Sequence, residues 1–223
     1  NMRQAIAALT VKSVSTIPHF YMGVQIRMKE ALRLRESLLE AYEKRYQVRL
    51  SPNHLLIKAM ALAAQAVPAV NATYADGLVT RHRDVNVGLA VALEDGLVVP
   101  VLKRAQEKSL AEIARESASL VQRARSSGLT AEDYSSSTVT LSNLGKTEVD
   151  FFTAIIRPPE VMILAVGNIA PRPVVQNDRV LAEPTMYAVA SADHRVIDGK
   201  VLAEFLTEFK HILENPYILL DRA

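Results

Sequence analysis

Apolar and polar residues alternate along this chain with two different periods, which predict a mixture of strands and helices. A two-residue period over residues 19–28 predicts a strand with one buried face. Helical spacing of apolar residues follows over 30–46. Ser51-Pro52 then begins a second helix, because serine is a favoured cap and proline a favoured first helical residue. A near-continuous apolar run over 161–166 predicts a strand that is buried on both faces.

The same patterns extend over the rest of the chain. Apolar runs over 85–93 and 97–102 flank the dipeptide Asp95-Gly96, which predicts a β-hairpin. The other predicted elements are a helix over 2–12, a capped helix over 109–126, a short capped turn after Thr130, strands over 138–142 and 185–192, and a helix after Asp198.

Composition limits the class of protein and of partner. The 223 residues are 49% hydrophobic, which is enough to bury a substantial core. No Gly-, Ser- or Pro-rich stretch and no internal repeat divides the chain, so we expect one domain over residues 1–223. The 26 basic and 24 acidic side chains nearly balance, and we expect neither nucleic acid nor membrane as a partner. Without cysteine the chain has no thiolate nucleophile and fits a reducing compartment.

The strongest candidate for chemistry is the turn from Asp193 to Gly199, where a strand passes into a helix. It brings together an imidazole, His194, and two carboxylates. Asp198 precedes the helix and aspartate is a preferred cap, so the spacing alone favours a structural role. The alternative is that His194 acts as a general base. An unperturbed histidine, with a pKa of about 6.5, suits that role, and uncompensated charge beside core segments would be costly.

A second candidate is Ser142-Asn143-Leu144-Gly145, which closes the predicted strand over 138–142. These residue types are common in turns, so composition favours a plain turn. The functional alternative gives Ser142 a hydroxyl directed from a strand end at a developing oxyanion, and position alone does not decide between the two. The five histidines show no metal-ligand spacing, and we expect no metal site.

Five motifs, occurring in one order, make the chain resemble a known family. They are Ile17-Pro18-His19-Phe20, Asp95-Gly96-Leu97-Val98-Val99-Pro100-Val101, Thr140-Leu141-Ser142-Asn143-Leu144-Gly145, Phe152-Thr153-Ala154-Ile155-Ile156 leading to Pro158-Pro159-Glu160, and Asp193-His194-Arg195-Val196-Ile197-Asp198-Gly199. The chain resembles the catalytic domain of the dihydrolipoamide acyltransferases, the core component of 2-oxo acid dehydrogenase complexes. The resemblance is greatest to the acetyl-transferring type found in pyruvate dehydrogenase complexes, and next to the branched-chain acyl-transferring type.

The resemblance implies a fold and an activity. The fold is α/β, a two-layer sandwich with a mixed, mostly antiparallel sheet and helices packed on it, similar to chloramphenicol acetyltransferase. The activity is transfer of an acyl group between a dihydrolipoyl thiol and the thiol of coenzyme A, a substrate here. His194 would be the general base, Ser142 would stabilise the oxyanion, and Asp198 would hold the turn. Residues aligned with the family's coenzyme A contacts are Arg35, Ser51, Asn143 and Gly167.

The resemblance also implies partners. His194 and Ser142 would come from neighbouring chains of a homotrimer, and trimers would join into a larger cage through the apolar residues 217–220. Further expected partners are the decarboxylase and dihydrolipoamide dehydrogenase components and a lipoyl domain. The lipoyl and subunit-binding domains would belong to a longer polypeptide in the cytoplasm or, in a eukaryote, the mitochondrial matrix. Two alternatives stay open: a structural core subunit without catalysis, and an acetyltransferase acting on a hydroxyl acceptor.

Overall fold

A mixed β-sheet with helices on one face is the framework of the molecule, and the computed structural model describes residues 2–93, 96–126 and 128–220. The helices are α1 (Met2–Thr16), α2 (Lys29–Tyr46), α3 (Pro52–Ala66), α4 (Leu110–Arg125) and α5 (Gly199–Glu214). The strands are β1 (His19–Arg27), β2 (Ala72–Ala75), β3 (Leu78–Arg81), β4 (Val87–Leu89), β5 (Val91–Leu93), β6 (Gly96–Val98), β7 (Val101–Leu102), β8 (Val139–Asn143), β9 (Met162–Val166), β10 (Ala170–Gln176) and β11 (Arg179–Asp193). Short 3-10 turns cover Ala105–Glu107, Ala131–Tyr134 and Pro216–Leu220.

The main sheet has the strand order β1-β11-β9-β8-β4-β7, and β10 pairs with the first part of β11. Strand β8 runs parallel to its neighbours β4 and β9, and the other described pairings in this sheet are antiparallel. Helices α2 to α5 pack on this sheet as a second layer, whereas none of the described residues of α1 belongs to their hydrophobic cluster. The predicted α/β sandwich with a mixed, mostly antiparallel sheet is therefore confirmed.

Two hydrophobic clusters cover the two faces of the sheet. On the helix face, alternate residues of β11, Ala188, Ala190 and Ala192, are fully buried in the large cluster that contains the helices. On the opposite face, a small cluster of Ile17, Ile156 and Ile163 lies near the end of β11. All of β9 is buried, as its apolar run predicts for a strand covered on both faces.

The connection between β8 and β9 lies on the face opposite the helices. Parallel neighbours require the chain to run back along the sheet. Here the return is an extended segment over 151–157 instead of a helix. The Ser191 hydroxyl donates to the Ala154 carbonyl at 2.6 Å, which holds this segment against β11. The segment therefore leads from the end of β8 towards the end of β11.

Most predicted helices and strands occur where expected, with capping as the local cause at several ends. Ser109 and Glu112 form the predicted capping box, in which the Ser109 N–H donates to Glu112 Oε2 at 2.8 Å. Thr130 caps the turn Ala131–Tyr134 in the same way. The N-terminal helix is longer than predicted and ends at Thr16.

The predicted strands over 85–93 and 97–102 are each divided in two. Strands β5 and β6 form the expected hairpin, with Leu93 opposite Gly96, as a separate two-stranded ribbon. The tip residues Glu94 and Asp95 lie outside the described residues. Strands β4 and β7 instead belong to the main sheet, because the Leu89 N–H donates to the Pro100 carbonyl and the Ala90 N–H to the Leu141 carbonyl.

Two further hairpins were not predicted. Asp76-Gly77 joins β2 to β3, and Asn177-Asp178 joins β10 to β11, with positive φ at all four residues. Strand β11 consequently begins at Arg179 and not at residue 185. Residues 179–182 are exposed in this hairpin, so no buried face marks this part of the strand in the sequence.

Candidate active site

The His194 turn is fixed by backbone hydrogen bonds at the end of β11. The Asp193 N–H donates to the Val161 carbonyl at 2.9 Å, and the His194 N–H donates to the Pro18 carbonyl at 3.0 Å. The Phe20 ring lies 4.4 Å from the imidazole, measured between centroids. The start of β1 therefore supports both the backbone and the ring of His194.

The carboxylates of both aspartates in the turn accept hydrogen bonds from groups other than the imidazole. Asp193 is buried, with a side chain only 1% exposed, and its carboxylate accepts from Arg195 Nε at 2.9 Å and Nη2 at 2.7 Å. Hydrogen bonding to Asp193 raises the pKa of Arg195, whose guanidinium also lies 4.3 Å from the centre of the Tyr74 ring. Asp198 Oδ1 accepts from the Val201 N–H at 2.9 Å and caps α5. Asp198 thus has the cap geometry that its position in the sequence predicts.

The His194 imidazole is exposed and available for proton transfer. Within the part of the chain that the structure describes, no side chain makes a hydrogen bond to either ring nitrogen. A base with no competing partner is able to accept a proton from a bound thiol. The geometry of this turn therefore permits the general-base role that the sequence suggests.

Ser142 lies at the opposite end of the sheet, beside the other candidates. It is the penultimate residue of β8 and is half-buried. Asn143 follows it, accepts from the Gly145 N–H at 2.6 Å and donates from Nδ2 to Asn53 Oδ1 at 2.9 Å. Asn53 is in the first turn of α3, so the end of β8 is joined to the N-terminus of that helix.

The candidates Arg35 and Ser51 meet at the same helix end. Arg35 Nε donates to the Leu50 carbonyl at 2.9 Å, and the Ser51 N–H donates to His54 Nδ1 at 3.1 Å. Burial, and secondly the charge of Arg35, lowers the pKa of His54 to about 4. His54 is therefore a neutral acceptor at physiological pH, and it also borders a cavity of about 490 Å³ between α3 and α4.

Gly167 completes this group at the end of β9. Asn143 pairs in register with Val166, the residue before Gly167, and the Leu144 N–H donates to the Val166 carbonyl. A Cβ atom on Gly167 would lie 1.9 Å from the Asp150 carbonyl oxygen, so only glycine permits the loop to approach so closely. Asn143 and Gly167 therefore lie with Ser142 at the ends of β8 and β9, and the Asn143–Asn53 hydrogen bond joins them to the helix end that holds Arg35 and Ser51.

The register of the sheet separates this group from His194. Ser142 is opposite Ala165, and Ala165 is opposite Val189 of β11. His194 lies five residues beyond Val189, a distance of roughly 17 Å along the strand. Ser142 is also two strands away from β11, which adds about 10 Å across the sheet. Within one chain, the candidate residues therefore form two groups, not one.

Some residues of these groups were not named as site residues by sequence reasoning. Pro18 and Phe20 support His194, and the motif that contains them was visible in the sequence. Asn53 and His54 support Asn143 and Ser51 at the start of α3. No local pattern distinguished Asn53, because its partner is 90 residues away.

Comparison with known proteins identifies the family. The model of one protein family, described as "2-oxoacid dehydrogenases acyltransferase (catalytic domain)", matches residues 1–220. The chain belongs to this family. A relative from Rickettsia felis is 38% identical over 220 residues, which cover 99% of this chain and 53% of the relative. A relative from Schizosaccharomyces pombe is 40% identical over 220 residues, which cover 97% of this chain and 45% of the relative. The chain thus spans about half of the length of these relatives.

Both relatives are named as the dihydrolipoyllysine-residue acetyltransferase component of a pyruvate dehydrogenase complex, the second as mitochondrial. Among solved structures, the chain is similar to a dihydrolipoamide acetyltransferase of Azotobacter vinelandii, with a TM-score of 0.93 and 32% identity over 98% of this chain and 90% of the other. The structure was used to study one serine, one histidine and one asparagine in that enzyme's catalytic mechanism.

Two further structures resemble the chain. The cubic core of a pyruvate dehydrogenase multienzyme complex gives a TM-score of 0.93 and 31% identity over 98% of this chain and 90% of the other. Chloramphenicol acetyltransferase gives a TM-score of 0.58 at 15% identity, over 88% of this chain and 89% of the other. The likeness to chloramphenicol acetyltransferase concerns the fold alone, and it confirms the expected architecture.

The described residues include neither a cluster suited to a metal ion nor a helix suited to a membrane. No group of three or more histidine, aspartate or glutamate side chains in ranges 2–93, 96–126 and 128–220 is arranged to hold a metal ion. Over the same ranges, no helix combines the length and the apolar character that crossing a membrane requires.

Proposed function

We propose that this chain transfers an acyl group, with acetyl favoured, between the thiol of a dihydrolipoyl arm and the thiol of coenzyme A. Membership of the acyltransferase family supports this proposal, as do the names of its relatives. The main observation in support of this proposal is that the candidate residues have the same spacing as the residues studied in the Azotobacter enzyme. In the Azotobacter enzyme the studied histidine follows the studied serine by 52 residues, and the asparagine follows the histidine by four. His194 follows Ser142 by 52 residues, and Asp198 follows His194 by four.

The difference at the third position is chemically small. By this spacing, Asp198 would correspond to the asparagine of the Azotobacter enzyme. Aspartate and asparagine each present an Oδ1 acceptor to the first turn of a helix and are equally good caps. In this chain that atom accepts from the Val201 N–H. We therefore assign Asp198 to holding the turn and the start of α5, without contact to the imidazole.

The proposed reaction needs one base and one oxyanion donor. His194 takes the thiol proton of coenzyme A while the sulfur attacks the acyl carbonyl carbon, so that a new C–S bond forms and the carbonyl oxygen becomes an oxyanion. The Ser142 hydroxyl donates a hydrogen bond to that oxyanion. When the intermediate collapses, the C–S bond to the dihydrolipoyl arm breaks and the leaving sulfur takes the proton from the imidazolium.

The two residues would meet between neighbouring chains of a homotrimer. Their separation by about 17 Å along β11 prevents them from acting on one carbonyl within a chain, because each must lie about 3 Å from a reacting atom. Large apolar side chains remain exposed on the face opposite the helices. Tyr21 is 52% exposed and Phe151 65% exposed. A neighbouring chain that covers this face could bring its Ser142 to His194.

Coenzyme A would bind at the Ser142 group. The N-terminus of α3 favours an anionic ligand such as a phosphate, because the helix dipole places partial positive charge there. Arg35 adds a positive charge at this end, and Ser51, Asn143 and Gly167 line the approach to Ser142. The acyl group would arrive from the other side on the lipoyl group of a lipoyl domain.

The wider assembly is proposed by similarity. The cubic core found for the pyruvate dehydrogenase complex supports assembly of trimers into a cage. Tyr217 and Leu220, which are exposed at the end of the chain, are suitable for contact between trimers. The decarboxylase and dihydrolipoamide dehydrogenase components would be partners, in the bacterial cytoplasm or the mitochondrial matrix.

The direct test is transfer of acetyl from acetyl-coenzyme A to dihydrolipoamide by the purified chain. We expect His194→Ala to lower turnover by on the order of 10²–10⁴ and Ser142→Ala by about 10²–10³. His211→Ala is the matched control, because His211 is an exposed residue in the last turn of α5 and belongs to neither group. Absence of transfer by the assembled wild type would favour a structural core subunit, and preferential transfer to an alcohol would favour the hydroxyl-acceptor alternative.

A further inference from the structure

The extended segment over 151–157 is held against the sheet without a backbone ladder. Among the described residues, the peptide groups of 151–156 make no backbone-to-backbone hydrogen bond. Side chains bind the segment instead. Ser191 Oγ donates to the Ala154 carbonyl at 2.6 Å, and Ser13 Oγ donates to the Ile156 carbonyl, also at 2.6 Å. The segment therefore depends on a few side-chain contacts for its position.

His19 makes a third contact with this segment and links it to the start of β1. The Ile156 N–H donates to His19 Nε2 at 3.1 Å, so Nε2 is an acceptor. The proton of the neutral ring is therefore on Nδ1, which donates to the Ile17 carbonyl at 2.9 Å. Both ring nitrogens are used, and the imidazole is a bridge between the segment and the residues that precede β1.

The residues on either side of His19 are those that support His194. Pro18 accepts the His194 N–H at 3.0 Å, and the Phe20 ring lies 4.4 Å from the His194 ring. His19 itself pairs in register with Asp193, the residue before His194. A shift of the His19 bridge would therefore move the carbonyl and the aromatic ring that position His194.

We infer that His19 is a positioning residue for the transfer reaction: its imidazole bridges Ile17 and Ile156 and thereby holds Pro18 and Phe20 against His194. This inference rests on the proposed function. His19 is not a catalytic residue, because its two nitrogens are occupied within the protein. Since a base misplaced by about 1 Å can reduce a rate by on the order of 10²-fold, the bridge can affect turnover without touching a substrate.

Histidine is suited to this bridge because it donates on one side and accepts on the other. Glutamine can place an oxygen near the position of Nε2 and accept from the Ile156 N–H. Asparagine reaches only the position of Nδ1 and leaves that N–H without its acceptor. Leucine has neither group. The series His19→Gln, His19→Asn and His19→Leu therefore separates the contact to Ile156 from the presence of a side chain of similar size.

The test is steady-state acetyl transfer by the assembled full chain with this series. We expect His19→Leu and His19→Asn to lower kcat by on the order of 10-fold to 10²-fold, with KM for acetyl-coenzyme A and for dihydrolipoamide within about twofold of wild type. We expect His19→Gln to recover most of the lost kcat. His211→Leu is the matched control and should leave kcat unchanged, because His211 is an exposed residue of α5.

The outcomes separate this inference from the proposed function. An assembled His19→Leu protein with wild-type kcat would overturn the inference, as would equal losses for His19→Gln and His19→Leu. A rise in KM at unchanged kcat would also overturn it, because it would indicate substrate contact. If His19→Leu does not fold, His19→Asn and His19→Gln still decide the question. A wild-type protein without any transfer would instead refute the proposed function.

Discussion

Two inactive variants should restore activity to each other when they assemble together. His194→Ala removes the base, and Ser142→Ala removes the oxyanion donor. If each site takes its histidine from one chain and its serine from a neighbour, some sites in a mixed oligomer contain both intact residues. If each site were built within one chain, no mixture would contain an intact site.

The fraction of activity that the mixture recovers follows from the separation of the two residues in one chain and from random assembly. Ser142 is level with Val189, and His194 is about 17 Å further along β11, so a site within one chain is excluded. In an equal random mixture, half of the histidines and half of the serines are intact. About one quarter of the sites therefore have both residues, because each closed interface combines two independently chosen chains. Each variant alone should show about 1% of wild-type activity or less.

The assay is acetyl transfer by co-expressed variants, compared with the same variants mixed after separate assembly. We expect about one quarter of wild-type turnover only after co-expression. Co-expression of His194→Ala with a chain that carries both substitutions is the control, because no site in that mixture has an intact histidine. If co-expressed His194→Ala and Ser142→Ala stay at the level of the separate variants, the inter-chain site is refuted.

Three further predictions concern the supports of the two groups. Gly167→Ala should destabilise the fold by about 1–3 kcal/mol in denaturant unfolding, because its Cβ would lie 1.9 Å from the Asp150 carbonyl; unchanged stability would contradict this packing. Asp198→Ala should cost about 0.5–2 kcal/mol, whereas Asp198→Asn keeps the cap of α5 and should remain near wild type. The pKa of His54 is lowered from 6.5 to about 4, mainly by burial, so folding disfavours its charged form and stability should fall as the pH drops from about 6.5 through 4. His54→Asn, which can still accept from the Ser51 N–H without becoming charged, should weaken that pH dependence in thermal unfolding; an identical pH profile would contradict the assignment.

Local patterns in the sequence were sufficient for most of the helices. The capping box of Ser109 and Glu112, and the Ser51-Pro52 start of α3, depend on residues within one turn, so the sequence contains all of the interacting groups. The hairpin at Asp76-Gly77 had the same kind of local signal and could have been predicted, since Asp-Gly favours a tight turn. Asn177-Asp178 is a weaker turn signal, and its hairpin has exposed strands without a buried face to mark them.

From the sequence alone, most helices and strands, several caps and the motifs that identify the family could be recognised. Which strands are neighbours, and in what register they pair, became known only from the three-dimensional structure. That register places Ser142, Asn143 and Gly167 at one end of the sheet and His194 at the other, and the Asn143–Asn53 hydrogen bond joins the helix end of Arg35 and Ser51 to the first group. The physical reason is that a periodic pattern records which face of a strand is buried, whereas pairing joins residues far apart in the chain. The same reason explains why the contact between His19 and Ile156, 137 residues apart, could not be predicted from either motif.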